Sequence, residues 1–280
     1  MPDPAVSIVA PTVGRASYLH VALRSLAAQE LDEPYEVVVV DDGSTDATVE
    51  VCRAAGVRML RQPRRMGPNA ARNRGIAETS GALVVFVDDD VEAPPGWLAA
   101  LVAGARRHPE AEAFGGPIRA RFEGPAPGGC GREDPPITTL DLGAADRECE
   151  AVWSANMMVR RSAFGRVGLF EESLGPGGDE HQWLVRLRAA GGHVFYLADA
   201  GLDHRRAGDD ARLRRLMGEA YRRGRNVRRW DHHRGEPPSL ARELRVLAGC
   251  GWHTVRRRCP QGLVMGAHSL GRTMEAVRPR

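Results

Sequence analysis

The chain of 280 residues contains no lysine, so all 39 of its basic side chains are arginine. That absence points first to a GC-rich coding sequence and second to phosphate, which the planar guanidinium grips with two parallel hydrogen bonds. Cysteine is scarce: Cys52, Cys130, Cys149, Cys250 and Cys259 are an odd number at wide spacings, with no C-x-x-C pair. The pattern excludes a disulfide framework and reads as reduced, mostly structural thiols of a cytosolic protein, with no zinc site expected. No apolar run approaches the ~18 residues needed to span a bilayer, and the start, Met1 to Ala5, lacks the basic and apolar regions of a signal peptide. The expectation is a cytoplasmic protein, at most peripheral to the inner face of a membrane.

What is present is ordinary globular composition, 42% hydrophobic and 27% charged, with a net charge of only +3. Its organising stretch is Leu83-Val84-Val85-Phe86-Val87 followed by Asp88-Asp89-Asp90. Unbroken large apolar residues read as a strand buried on both faces, as in a parallel sheet covered by helices. In open α/β sheets ligands bind outside the carboxyl ends of the strands, which is where these three acids fall. Their mutual repulsion is relieved by a hard cation such as Mg²⁺ or Mn²⁺. Because side chains alternate along an extended segment, Asp88 and Asp90 are expected to face one way and Asp89 the other.

The flanking chain repeats the theme. Val6 to Ala10 is a short strand ending at Pro11-Thr12, and a helix is expected from Ser17 with Leu19, Leu23 and Leu26 on one face. A second buried strand, Glu36 to Val40, ends in Asp41-Asp42-Gly43-Ser44, and a third covers Val57 to Leu60. A helix opening at Gly67-Pro68-Asn69 then leads to the acidic strand. Strand and helix alternate at βαβ spacing, so the first ~90 residues form a doubly wound parallel half-sheet. Beyond it, 114–122 reads as a bent strand, 123–150 as an aperiodic Gly/Pro-rich segment, and 151–161 as a strand. Gly175 to Gly178 leads to a helix opening at Asp179-Glu180, and a strand at 193–197 precedes Asp203-His204. Past Asp209, apolar helical stripes run among many arginines.

Six segments in order, VSIVAPTVGR, VVVVDDGSTD, GPNAARNRG, VVFVDDD, GDEHQWLVRL and a strand followed by Asp203-His204, give the chain a resemblance to the family 2 glycosyltransferases. The likeness runs from about Val6 to His204. It implies the GT-A fold: an α/β, Rossmann-like, doubly wound mixed sheet with helices on both faces, here with a helical C-terminal extension. Residues 1–206 are then the transferase domain, 1–95 its nucleotide-sugar half and 96–206 its acceptor half, and 207–280 an arginine-rich extension.

The resemblance further implies a nucleoside-diphosphate sugar donor, UDP-linked, and a hydroxyl-bearing acceptor. Pro11, Thr12, Arg15, Asp41, Asp42 and Asp89 would lie along the nucleotide, Arg72 at the base or diphosphate, and Asp88 near the ribose. Asp90 and His204 would hold Mg²⁺ or Mn²⁺. Glu180 would be the catalytic base, and Trp153, Ser154 and Asn156 would line the acceptor pocket. The family's usual Glu-Asp order is reversed to Asp179-Glu180, and Gln182 replaces the acid commonly found two residues later, so Asp179 stands as a rival base.

Two other functions fit the half-sheet. A sugar nucleotidyltransferase would open with a glycine-rich phosphate loop after the first strand, of which Pro11 to Arg15 is a poor version. A non-catalytic nucleotide-sugar scaffold would not need intact Asp90 and Glu180. For the arginine-rich tail the readings, in order, are a solvated helical cap, a surface for anionic lipid head groups, and nucleic-acid binding, which interleaved aromatics would have to support and do not.

Overall fold

The computed structural model describes residues 4–124, 128–131, 137–173, 179–233, 235 and 237–278. Gly175 to Gly178 and the Asp179 side chain, both singled out from sequence, lie outside what it describes. The first half runs β1 (Val6–Thr12), α1 (Ala16–Ala27), β2 (Tyr35–Asp41), α2 (Thr48–Ala54), β3 (Arg58–Arg61), α3 (Pro68–Ala77) and β4 (Leu83–Val87). Then follow β5 (Val91–Glu92), α4 (Trp97–Arg107), β6 (Ala111–Gly115), β7 (Ile118–Glu123), β8 (Arg147–Glu148), β9 (Asn156–Arg160), α5 (Arg161–Val167), α6 (Asp179–Ala189), β10 (His193–Tyr196) and β11 (Leu202–Ala207). Helices α7 (Leu213–His233), α8 (Leu240–Arg257) and α9 (Gln261–Ala276) close the chain.

The main sheet has the order β3-β2-β1-β4-β9-β6-β10-β8. Strands β3, β2, β1 and β4 are parallel, β9 runs antiparallel between β4 and β6, and β10 is parallel to β6. The sheet is therefore mixed, and its parallel half is the part that alternates strictly with helices. β4 shows why its apolar run is unbroken. Val85 and Val87 join a core with Leu19 and Leu23 of α1 and Trp97 and Leu101 of α4. Val84 and Phe86 join the opposite core with Ala71 and Ile76 of α3 and Trp183, Leu184 and Leu187 of α6. A strand packed on both faces has no solvent side on which to place polar residues.

Two close approaches fix α3. A side chain at Gly75 would collide with Val9 of β1, so the glycine lets the helix lie against the sheet. Gly67 (φ +96°) turns the chain just before Pro68 starts the helix.

The bent strand expected over 114–122 is two strands in two sheets. β6 stops at Gly115, and β7 belongs to a three-stranded sheet of order β5-β11-β7. Gly116 lies so close to Ala200 that a side chain there would clash, and Pro117 provides no amide for a ladder. Likewise the strand expected over 151–161 begins only at Asn156.

The chain forms two compact units. One contains residues up to Arg119, Leu140–Ser173 and Asp179–His204; the other gathers Ala120–Thr139 with Arg205–Arg280. Segment 120–139 thus groups with the C-terminal helices, through Ile137 packed with Leu216 of α7 and Val264 of α9 and flanked by Ala120 and Phe122.

Candidate active site

β1, β2 and β4 end side by side, with Thr12 in register with Asp41. Their carboxyl edge therefore carries Thr12, Asp41, Asp42 and Asp88 to Asp90 by chain direction alone. β5 continues from the triplet and pairs antiparallel with β11, setting His204 opposite Val91. That register brings the His204 Nε2 to 3.1 Å from Asp90 Oδ1, both side chains almost fully buried. One ligand atom from each of Asp88, Asp90 and His204 lies within 4.8 Å of the other two.

Asp89 sits with Asp90 in the turn after β4, beyond the extended segment, so the expected alternation does not separate those two acids. Asp89 Oδ2 accepts a 2.7 Å hydrogen bond from Thr12 Oγ1, and its Oδ1 accepts from Arg15 at 2.9 Å. The second arm of the Arg15 guanidinium donates to Asp90 Oδ2 at 2.8 Å. This forked bridge across two adjacent acids was not foreseen for Arg15. Its signal in the sequence is only a basic residue soon after β1, and the matching acids lie more than seventy residues away.

Burial and like charge dominate the triplet. Desolvation and the neighbouring Asp90 raise the Asp88 carboxyl well above the usual range, against the pull of His204, Arg72 and Arg15. Burial pushes Asp89 up to about 7; Arg15 and the Thr12 hydroxyl draw it down, while Asp90 and Asp88 push it up. The Arg15 guanidinium is held still more firmly protonated, since Asp89 and Asp90 outweigh its burial. Two carboxylate oxygens and an imidazole nitrogen, in a pocket whose acids are under-neutralised, form a donor set that fits a divalent cation such as Mn²⁺ or Mg²⁺.

The remaining residues around the rim divide by what they touch. Asp41 is fully buried, accepts from the Ser44 amide at 2.8 Å and lies 3.5 Å from Arg61 Nε. Both oxygens of Asp42 accept backbone amides, from Met66 at 2.7 Å and Gly67 at 2.9 Å, so this acid holds the turn that starts α3. Arg72 is buried and donates to Asn69 Oδ1 at 2.9 Å and to Ser154 Oγ at 2.7 Å, tying α3 to the turn before β9. Pro11 is half-buried within β1, opposite Val40. Trp153 is half-buried against the first core.

Asn156 departs from the sequence expectation. It is fully buried; its Oδ1 accepts from Trp97 Nε1 at 2.9 Å, and its amide donates to the carbonyls of Pro117 and Ala200 at 3.2 and 2.8 Å. With both ends of the amide engaged in the interior, it braces the crossing of β9 beneath the rim rather than facing an acceptor. Sequence reasoning also missed Asn69 and Asn73. Asn69 donates to Glu171 O at 2.7 Å, and Asn73 donates to Phe170 O at 2.9 Å while accepting the Phe170 amide at 3.0 Å. Together they clamp the segment after α5 onto α3. Two asparagines four apart on a helix are the signal that was available; their burial is what the structure adds.

Glu180 is placed by topology. β10 runs in the same direction as β4, because β9 reverses direction between β4 and β6 and β10 is parallel to β6. α6 leads into β10 through a tight turn at Gly191 (φ +77°), so it runs back along the sheet. Its N-terminus, and with it half-buried Glu180, lies at the same carboxyl edge as the acidic triplet.

Comparison with known proteins agrees with this geometry. The profile of Glycosyl transferase family 2 matches residues 7–168. Glycosyltransferase AglE of Haloferax volcanii is 28% identical over 205 residues, 70% of this chain and 65% of that protein. The pre-mycofactocin glycosyltransferase of Mycobacterium tuberculosis is 32% identical over 211 residues, 71% of this chain and 43% of that protein. The chain thus spans less than two thirds of the length of these curated relatives. Among solved structures, a mannosyltransferase from Pyrobaculum calidifontis in complex with GDP-Man and Mn²⁺ superposes with a TM-score of 0.61 at 18% identity, covering 99% of this chain and 77% of that one. S. aureus TarS 1–349 in complex with UDP-GlcNAc gives 0.58 at 18% identity, covering 95% and 90%. At such identities the structures speak for the GT-A fold. The family match over more than half of the chain, on the strands that carry the acidic rim, makes this protein a member of glycosyl transferase family 2.

Proposed function

We propose that the protein is an inverting glycosyltransferase that moves a sugar from a nucleoside-diphosphate donor, UDP-linked, to an acceptor hydroxyl. The observation that carries the reading is the convergence of Asp88, Asp90 and His204 within 4.8 Å at the carboxyl edge of β4, the edge at which α6 begins with Glu180. Asp88, Asp90 and His204 would hold Mn²⁺ or Mg²⁺, which when bound neutralises charge on the departing diphosphate. Thr12, Asp41 and the loop held by Asp42 would frame the nucleotide. Arg15 answers the charge of Asp89 and Asp90 and orients the triplet.

The chemistry left to the chain is proton removal and alignment. An acceptor hydroxyl is a weak nucleophile, and a carboxylate placed to take its proton typically contributes ~10²–10⁴-fold. In a single displacement the acceptor oxygen bonds to the anomeric carbon as the bond to the diphosphate oxygen breaks. The hydroxyl proton passes to Glu180, and the anomeric centre inverts. Ser154, fixed by Arg72, and Trp153 would border the acceptor. A thermal-shift screen against a panel of nucleotide sugars, with and without Mn²⁺, tests this. UDP-sugars should raise Tm most, and more so with Mn²⁺; a panel with no effect would remove the donor assignment.

We also propose that the helical unit touches a membrane surface. No helix among the described residues is long and apolar enough to cross one. α8 nevertheless exposes Leu244, Trp252 and Val255 at 49%, 69% and 76%, close to Arg256, Arg257 and Arg258. An apolar stripe edged by guanidinium suits an anionic interface and would bring a lipid-linked acceptor to the enzyme. Co-sedimentation with anionic but not zwitterionic vesicles is expected, and equal recovery with both would refute it.

A further inference from the structure

The wide cysteine spacing gave no reason to expect a thiol-based metal site, yet the fold assembles the elements of one in the C-terminal unit. The Cys130 Sγ, the Cys259 Sγ and a ring nitrogen of His253 all lie within 4.8 Å of one another, with Cys130 Sγ 3.5 Å from His253 Nε2. Tetrahedral Zn²⁺, with bonds of about 2.0–2.3 Å, sets its ligand atoms roughly 3.5–3.8 Å apart; the Cys130–His253 pair stands at that spacing, and Cys259 lies within 4.8 Å of both. Cys259 is 1% exposed, and Cys130 and His253 are half-buried.

The backbone explains how two of the three meet. α8 ends at Arg257, and Arg258 takes the left-handed conformation (φ +50°), an unusual choice for a side chain of its size. The reversal returns the Cys259 amide to the Thr254 carbonyl at 3.1 Å, the long closing bond of a Schellman cap. Cys259 is thereby folded back over the last turns of its own helix, where His253 projects. Pro260 caps the start of α9, and a side chain at Gly262 would collide with the Thr254 hydroxyl and come within 3.1 Å of the His253 ring, so glycine lets α9 start close against the end of α8. Cys130 joins them from a segment 123 residues earlier.

We propose that Cys130, His253 and Cys259 bind a thiophilic divalent ion of the Zn²⁺ class, one that ties the 128–131 segment to the α8–α9 corner. Two sulfur donors and an imidazole select zinc over the hard cations suited to the acidic rim. The described residues supply three ligands and leave one tetrahedral position for solvent or a further donor. The role is structural. Among the described residues the buried members of this unit's apolar cluster are Ile137, Leu216 and Val264, and a bond across so long a stretch of chain constrains the unfolded state strongly. The inference stands apart from the sugar-transfer reading.

The test uses the full chain, purified with reductant, stripped with chelator and titrated with Co²⁺ and then Zn²⁺. A thiolate-to-cobalt charge-transfer band should appear, vanish on adding Zn²⁺, and be lost in C130S, H253A and C259S while remaining in C52S. On the wild-type protein, which needs no variant to fold, Zn²⁺ should slow alkylation of Cys130 and Cys259 by at least about tenfold, because a metal-bound thiolate is withheld from electrophiles, and leave Cys149 unchanged. Absence of the band with Zn²⁺-independent alkylation would overturn the proposal. So would formation of a Cys130–Cys259 disulfide that Zn²⁺ does not prevent.

Discussion

At the acidic rim one guanidinium serves two carboxylates, since Arg15 bridges Asp89 and Asp90. Among the C-terminal helices the ratio is inverted: Glu275 receives Arg225 and Arg229, and buried Glu243 receives Arg228 and Arg272. Both regions pair opposite charges, but the first is left short of positive charge in a buried place, and the second is rich in arginine. A rim short of positive charge is completed by a cation and its diphosphate. A helical unit whose few acids are already shared can turn its surplus arginine outward or to its own stability.

The contrast breaks most visibly at Glu180. Replacing it by Gln should lower turnover by ~10²–10⁴-fold with donor affinity kept, measured by steady-state kinetics beside donor titration. A fully active variant would move the base to Asp179 or elsewhere. In the helical unit the large effect is on stability instead. Glu243→Gln takes the carboxylate from buried Arg228 and leaves Arg272 with Asp231 alone, and should cost about 3–5 kcal/mol in chemical denaturation. A change under about 1 kcal/mol, the scale of an exposed pair, would mean the network is only a surface feature.

The electrostatic shortfall predicts a pH dependence. A carboxyl held above its unfolded value favours the fold at low pH, and that contribution is lost as pH rises from about 4 through the folded value of about 7 at Asp89. The metal-free protein should therefore lose stability between roughly pH 4 and 7, and Mn²⁺ should raise Tm more at the upper end, where protons no longer compete for the triplet. A Mn²⁺ effect independent of pH would contradict the picture of under-neutralised acids. The smallest effect is expected at Trp252: its replacement by Ala should alter stability by no more than about 0.5 kcal/mol, since the ring is 69% exposed, while weakening recovery on anionic vesicles.

Legibility in the sequence followed the range of the interactions. The unbroken run from Leu83 to Val87 announced a strand covered on both faces, because that pattern depends on the strand itself. The alternation expected of Asp88 to Asp90 did not hold, since the strand ends at Val87 and Asp89 and Asp90 meet the same guanidinium. His204 was reached through the family resemblance, and the register of β11 against β5 gives it a physical reason. What the sequence hid was set by distant partners. Asn156 looked polar and available until Trp97, Pro117 and Ala200 closed around it. Segment 120–139 looked like part of the acceptor half, but Ile137 packs with helices whose sequence lies far downstream. The Cys130–His253–Cys259 cluster was invisible to spacing rules, since only its last two members are close in the chain.

The central claim is that the acids at the end of β4 hold the cation on which donor binding depends. Titration of a UDP-sugar by calorimetry into the wild-type protein and Asp90→Asn, each with and without Mn²⁺, addresses it directly. Tightening by Mn²⁺ in the wild type and none in the variant, with the metal-free affinities alike, is the expected result. An Asp90→Asn protein whose donor affinity still rises with Mn²⁺ would show that the cation is held elsewhere and contradict the account.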